Sequence, residues 1–215
     1  MMTKESETVS RSENPLQRRW NSLKRTLQEN EKVRLGLSAG LKTVSGGALL
    51  ATGSPLGFAT LISNGANEVS DAVFAYGLRA WFAKKFGDDP QSLKRGRMVC
   101  ALGTIATAVG FDGIETVHSI LAPAYSDSLA VGVAFGAIAV NGAIAWINSF
   151  SAGSRGIGHD GWRMAAADLG GSVAAAAGAT MALTHPWIDP WGSGAAFLLQ
   201  AGAGVAALRD IKQGC

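Results

Sequence analysis

Residues 61–73, LISNGANEVSDAV, put Asn67, Glu68 and Asp71 within two turns of one another inside a long apolar stretch. A helix in water turns such groups outward, whereas a helix in lipid carries them only at a cost and with a purpose. The stretch therefore decides the fold once its solvent is known. Composition points to lipid. Charged residues make up 16% of the 215-residue chain, against about a quarter in soluble domains. The 28 glycines are about twice the usual share, and glycine lets membrane helices approach closely.

Six apolar segments, roughly 33–53, 56–83, 97–121, 127–150, 161–184 and 187–208, each come near or above the ~20 residues a helix needs to cross hydrocarbon. The basic residues turn them into a topology. An N-terminal arm carries Lys4, Arg11, Arg18, Arg19, Lys24, Arg25, Lys32 and Arg34, and the connection after the second segment carries Lys84, Lys85, Lys94, Arg95 and Arg97. Arg155 and Arg163 follow the fourth segment, and Arg209 and Lys212 the sixth, so that 17 of the 19 Lys and Arg lie on one side. The alternate connections, near Gly53–Pro55, Ala122–Asp127 and His185–Pro190, have none. Positive residues stay cytoplasmic. The pattern predicts an all-α integral membrane protein with six transmembrane helices and both termini cytoplasmic; a soluble Ala/Gly-rich domain would have to produce the alternation by chance. The net charge of +3 then reports orientation rather than nucleic-acid binding, because the charges form no stripe with interleaved aromatics.

Three parts follow: a cytoplasmic arm 1–32, a membrane domain 33–211 and a short cytoplasmic tail 212–215. In the arm, Asn14 and Pro15 start a helix over about 15–31, with Leu16, Trp20, Leu23 and Leu27 at helical spacing among basic residues. This predicts an amphipathic helix on the inner leaflet. Residues 1–12 are polar and predicted to be disordered. Lys4, Glu5, Glu7 and Arg11 stand where a cleaved leader would need an apolar run. Cys100 and Cys215 have no metal-ligand spacing and read as lone thiols. No Gly-x4-Gly-Lys-Ser/Thr stretch occurs, so a nucleotide-driven pump is not expected, and the chain reads as a non-enzyme.

Within the spans, Asn67 and Asp71 are four apart and share a face, while Glu68 is rotated by about 100°. Lys42 falls in the first span, Asp112, Glu115 and His118 in the third, Asn141 in the fourth, and Asp168 in the fifth with Met164 one turn before it. Two carboxylates, an amide oxygen and a thioether make a candidate site for a divalent cation, Asn67, Asp71, Met164 and Asp168, with Glu68, Asp112, Glu115, His118 and Asn141 as accessory polar groups. The alternative is a set of hydrogen-bonded pairs joining helices, for which Asn141 and Lys42 are the best candidates, with Met164 as packing.

These segments resemble the transmembrane domain of the cation diffusion facilitators. LKTVSGGALLATGSPLGFATLISNGANEVSDAV is similar to the first two helices of that family, GIETVHSILAP to the end of the third, AVNGAIAW to the fourth, RMAAADLGGSVAAAAGA to the fifth and WIDPWGSGAAFLLQAGAGVAALRDI to the sixth. The resemblance implies proton-coupled efflux of a divalent metal, with no tightly bound cofactor, from a multi-pass protein of a plasma or inner membrane. The family's transport positions fall on Asn67, Asp71, Met164 and Asp168. Asn67 and Met164 depart from the zinc-type pattern, an Asn is closer to manganese-type members, and a thioether suits manganese poorly, so the metal stays open. The His-rich loop between the fourth and fifth helices is reduced to His159, and the cytoplasmic domain that commonly follows the sixth is not in this sequence. A homodimer, or a heterodimer with a related transporter, would then rest on the arm or on helix contacts such as Gly132 and Gly136, with Gly170 and Gly171. The alternative implied function is a transport-inactive relative acting as a partner subunit or membrane scaffold.

Overall fold

The computed structural model describes residues 14–86, 89–150 and 158–212, with the side chains at 83, 93 and 158–165 outside the description. The expected disorder of 1–12, Arg155, the side chains of His159, Arg163 and Met164, and Cys215 lie outside the described residues. Helix α1 spans Pro15–Glu29, where Asn14 Oδ1 accepts from the Leu16 N–H at 3.1 Å and Pro15 fills the first position. Asn30 then serves two helices. Its N–H donates to Thr26 O at the end of α1, and its Oδ1 accepts from Val33 N in the first turn of α2, Glu31–Leu56. Arg34 reaches back to the carbonyls of Leu27 and Gln28, satisfying groups that the end of α1 leaves open.

The turn expected at Gly53–Pro55 falls later, because α2 continues through Pro55 to Leu56. Gly57 takes the left-handed conformation at φ 64°, its N–H donates to Ser54 O at 3.2 Å, and Phe58 N–H donates to Gly53 O at 3.0 Å. This paired closure satisfies the last carbonyls and favours glycine at the left-handed position.

Helix α3 runs Ala59–Asp71, passes through a π-helical stretch Ala72–Leu78 and ends as Arg79–Phe86. Helix α4 is built likewise, from Pro90–Thr107, a π-helical turn Ala108–Asp112 and Gly113–Leu121. Asp89 caps α4 by accepting from Ser92 N at 2.9 Å, and hydrogen bonding from Ser92 holds its carboxyl below the usual range. Helix α5, Ser128–Ser149, is capped by Asp127; α6 is Gly158–Ala182; a short turn Pro186–Ile188 leads into α7, Asp189–Lys212. The six predicted segments correspond to α2–α7 with shifted ends. Among the described residues there is no strand.

Three of the helical stretches, Pro90–Leu121, Ser128–Ser149 and Pro186–Lys212, are both long and apolar enough to cross a membrane. The 22 residues of α5 extend ~33 Å, close to the ~30 Å of a hydrocarbon core. The remaining long helices carry more polar residues, among which Ser38, Lys42, Asn67, Glu68, Asp71 and Asp168 are buried.

Helix α3 is central, packing against α2, α4, α6 and α7, while α5 pairs with α2 and α6, and α7 with α4 and α6. Burial runs opposite to that of a water-soluble domain. Lys42, Glu68, Asp71, Asp112, Asn141, Asp189 and Gln200 are inside, whereas Val44, Ile114, Leu121, Phe135, Leu198 and Val205 are exposed. An apolar exterior over a polar centre is stable only in an apolar solvent. Leu49, Phe58, Leu61 and small residues of α5 and α6 form one apolar layer, and Leu35, Ala75, Tyr76 and Ile144 form another. By position along α2 and α3, the charged centre lies between them.

Candidate functional site

Close helix approach creates the site. A Cβ placed on Gly46 of α2 would lie 2.8 Å from Gly65 O of α3, and one on Gly65 would lie 3.0 Å from Gly46 O. Only two glycines permit that separation. One turn from Gly46 stands Lys42, and just beyond Gly65 stands Glu68, so the same crossing brings their side chains together.

Lys42 Nζ sits 3.3 Å from Glu68 Oε2, 3.5 Å from Asp71 Oδ2 and 2.8 Å from Asp168 Oδ2. Lys42 is 1% exposed. One ammonium therefore joins α2 to two carboxylates of α3 and one of α6. Asn141 of α5 donates from Nδ2 to Glu68 Oε1 and bonds Ser172 of α6 at 2.6 Å. Gln200 of α7 donates from Nε2 to Asp71 Oδ1 at 3.2 Å. A small internal space of about 10 Å³, on the scale of a single water, adjoins Lys42, Asn64, Asn67, Asp71, Asp168 and Gln200.

The structure brings Asp71 and Asp168 together around Lys42. Asn67 turns elsewhere: its Nδ2 donates to Asp112 Oδ2 of α4 at 2.9 Å. Met164 lies one turn before Asp168 in α6, with its side chain outside the description. Glu68 does find a neighbour different from that of Asn67, namely Lys42 and Asn141. Glu115 is half-buried and His118 exposed in the last stretch of α4, Gly113–Leu121. Among the described residues, no three or more His, Cys, Asp or Glu are grouped to hold a metal ion.

Two participants were not placed in the site by sequence reasoning. Lys42 was assigned to structural pairing, although its position as a basic residue outside the charged loops was a signal that three acidic side chains would need it. Gln200 left a weaker trace, as an amide inside the apolar run AAFLLQAGAG.

Further polar groups join α7 to α3. Asp189 accepts from Ala59 N at 3.0 Å, Thr60 N at 2.8 Å and Thr60 Oγ1 at 2.8 Å, thereby capping α3 from another helix. The Cys100 thiol is free of any disulfide and donates to Phe74 O, within the π-helical stretch of α3, at 2.7 Å.

Apolar helices outside and an ionisable cluster at the centre define a helical membrane protein with a buried polar site. Compared with protein-family profiles, curated proteins and solved structures, the chain matches none of them.

Proposed function

We propose that the chain is a secondary transporter that exports a divalent metal cation across a membrane in exchange for protons, through six spans with both termini cytoplasmic, in a plasma or inner membrane. The observation that carries the reading is the cluster of Glu68, Asp71 and Asp168 around Lys42 near the middle of the bundle. Three carboxylates against one ammonium leave a formal charge of −2 when all are ionised. Burial in a low-dielectric bundle makes that charge costly. Two protons or one divalent cation cancel it equally, so metal binding at this cluster releases protons and proton uptake expels metal. Lys42 Nζ lies among the carboxylate oxygens that would meet the metal, so the ammonium must withdraw as the cation arrives. Rocking of the helices about this point would expose it alternately to either side.

Gly132 and Gly136 of α5 have open space where a side chain would be, which leaves room for a partner helix in a homodimer or heterodimer. By contrast, a Cβ on Gly171 would lie 3.3 Å from Asn64 Oδ1 of the same chain, and one on Gly170 would lie 3.6 Å from Leu199 Cδ1.

The second reading, a transport-inactive partner subunit or scaffold, is favoured by the same ion pairs taken as a clasp on α2, α3 and α6, with the Asn67 amide engaged by Asp112. Proteoliposomes with an internal metal-sensitive dye and an imposed pH gradient separate the two. Transport predicts influx of at least one of zinc, manganese, cobalt or cadmium, and its loss in Asp71→Asn and Asp168→Asn, variants that keep shape and remove charge. No metal flux in the parent, with intact assembly, selects the scaffold; parent-like flux in both variants removes the cluster from the pathway.

A further inference from the structure

A second polar group, beside the lysine cluster and separate in its bonding, lies between α3 and the outer part of α4. These helices run in opposite directions, and the Asn67–Asp112 hydrogen bond fixes their register. One turn outward on α3 is Ser63, and one turn outward on α4 is Thr116, so Ser63 and Thr116 form the next rung. Ser63 Oγ, Asn67 Oδ1, Asp112 Oδ1 and Thr116 Oγ1 are all buried and all without a hydrogen-bond partner. Ser63 and Asp112 have no measurable exposure, and Asn67 is 7% exposed.

Chemistry sets the orientation of Asn67. A carboxylate accepts hydrogen bonds, so the amide must offer its nitrogen to Asp112, which turns its oxygen away with nothing to accept from. Asp112 is a fully buried carboxylate that accepts from Asn67 and has the Ser63 hydroxyl beside it, with no ion pair to lysine or arginine among the described residues. Four such oxygens in two rungs are expensive to leave unsatisfied in a protein surrounded by lipid. The π-helical turn Ala108–Asp112 ends at the carboxylate, and such turns recur where a helix is shaped for a site.

We propose that Ser63, Asn67, Asp112 and Thr116 bind a small monovalent cation of the sodium class. The donors are all oxygen, which suits a hard cation and offers nothing to a thiophilic one. One carboxylate with an amide carbonyl and two hydroxyls balances a single positive charge. Glu115, partly exposed, adds to the negative field at Asp112 without entering the rungs. The site shares no hydrogen bond or ion pair with the lysine cluster, although Asn67 also adjoins the small space there, and it does not depend on metal transport.

The full chain, purified in detergent, tests this with sodium chloride titrated against choline chloride at constant ionic strength, reading the thermal unfolding midpoint and equilibrium binding of radioactive sodium. The expected result is saturable stabilisation by sodium, weaker with potassium and absent with choline, since a ligand of the folded state raises its stability. Asp112→Asn should abolish the response, and Ser63→Ala and Thr116→Val should each weaken apparent sodium affinity roughly tenfold. Should Asp112→Asn fail to fold, the two hydroxyl variants decide. Equal stabilisation by choline, no sodium binding, or parent-like affinity in both hydroxyl variants overturns the proposal and leaves the rungs to water alone.

Discussion

Lys42 Nζ has three carboxylates within 3.5 Å and almost no exposure. Removing one partner of a buried ion pair costs about 3–5 kcal/mol, because the charge left behind is uncompensated. Lys42→Met should therefore lower stability strongly, and Asp168→Asn added to it should restore part of the loss. The coupling is expected to be larger for Asp168, at 2.8 Å, than for Asp71, at 3.5 Å, with values of about 0.5–3 kcal/mol for side chains in contact. Denaturant or thermal unfolding of the single and double variants measures it; strictly additive losses would show that the ammonium does not organise the site. Asp71, Asp168 and the accessory Glu68 and Asn141 were legible in the sequence as ionisable or polar groups in apolar spans. Lys42 as the common partner of the three carboxylates was not, because helical spacing gives the face a residue occupies but not which of several neighbouring helices that face meets. Asn67 is the clearest case. It shares a face with Asp71 by spacing, yet a one-turn offset lets it meet α4 while Asp71 meets α2 and α6.

Helix α3 touches more of the bundle than any single-face pattern would suggest, and its closest neighbour is α2 across Gly46 and Gly65. A methyl on Gly65 would lie 2.9 Å from Leu50 Cγ and 3.0 Å from both Gly46 O and Leu49 Cβ. Backbone cannot yield as a flexible side chain can, so Gly65→Ala should cost about 1–3 kcal/mol as overpacking. It should also separate Lys42 from Glu68. Gly132→Ala, with nothing within 4 Å, should change unfolding of the monomer by less than about 0.5 kcal/mol. Equal effects from the two substitutions in detergent unfolding would mean that the crossing is not tight. The helices themselves could be read from apolar length, from Asn14 and Pro15, and from Asp127. The π-helical stretches Ala72–Leu78 and Ala108–Asp112 could not, since a single wide turn leaves no mark on hydrophobic periodicity. They matter nonetheless, because each adjoins a buried carboxylate, Asp71 or Asp112.

At the scale of the whole molecule, two independent features divide the bundle into ends. Exposed Tyr125, Trp187 and Trp191 lie at the end that holds the connections without basic residues, and exposed Trp20, Trp81, Phe86 and Trp146 lie at the other. Ser126 N–H donates to Ala182 O at 3.2 Å, tying the connection before α5 to the end of α6, while Trp20 stacks on Trp146 at 5.3 Å and holds α1 against the second end. Aromatic rings collect at both membrane–water boundaries, and Lys and Arg at the cytoplasmic one. Helix α1 has Leu16, Trp20 and Leu23 exposed beside Arg18, Arg19, Lys24 and Arg25, the composition of a helix that rests on an anionic leaflet. The orientation predicted from charge thus has a physical test. In a background lacking Cys100 and Cys215, a cysteine at Asp127 or His185, both exposed, should react with a membrane-impermeant thiol reagent added outside intact cells. A cysteine at Arg95, exposed beyond the other end, should react only after the membrane is opened. Labelling of position 95 from outside would reverse or break the six-span topology, and with it the proposed direction of transport.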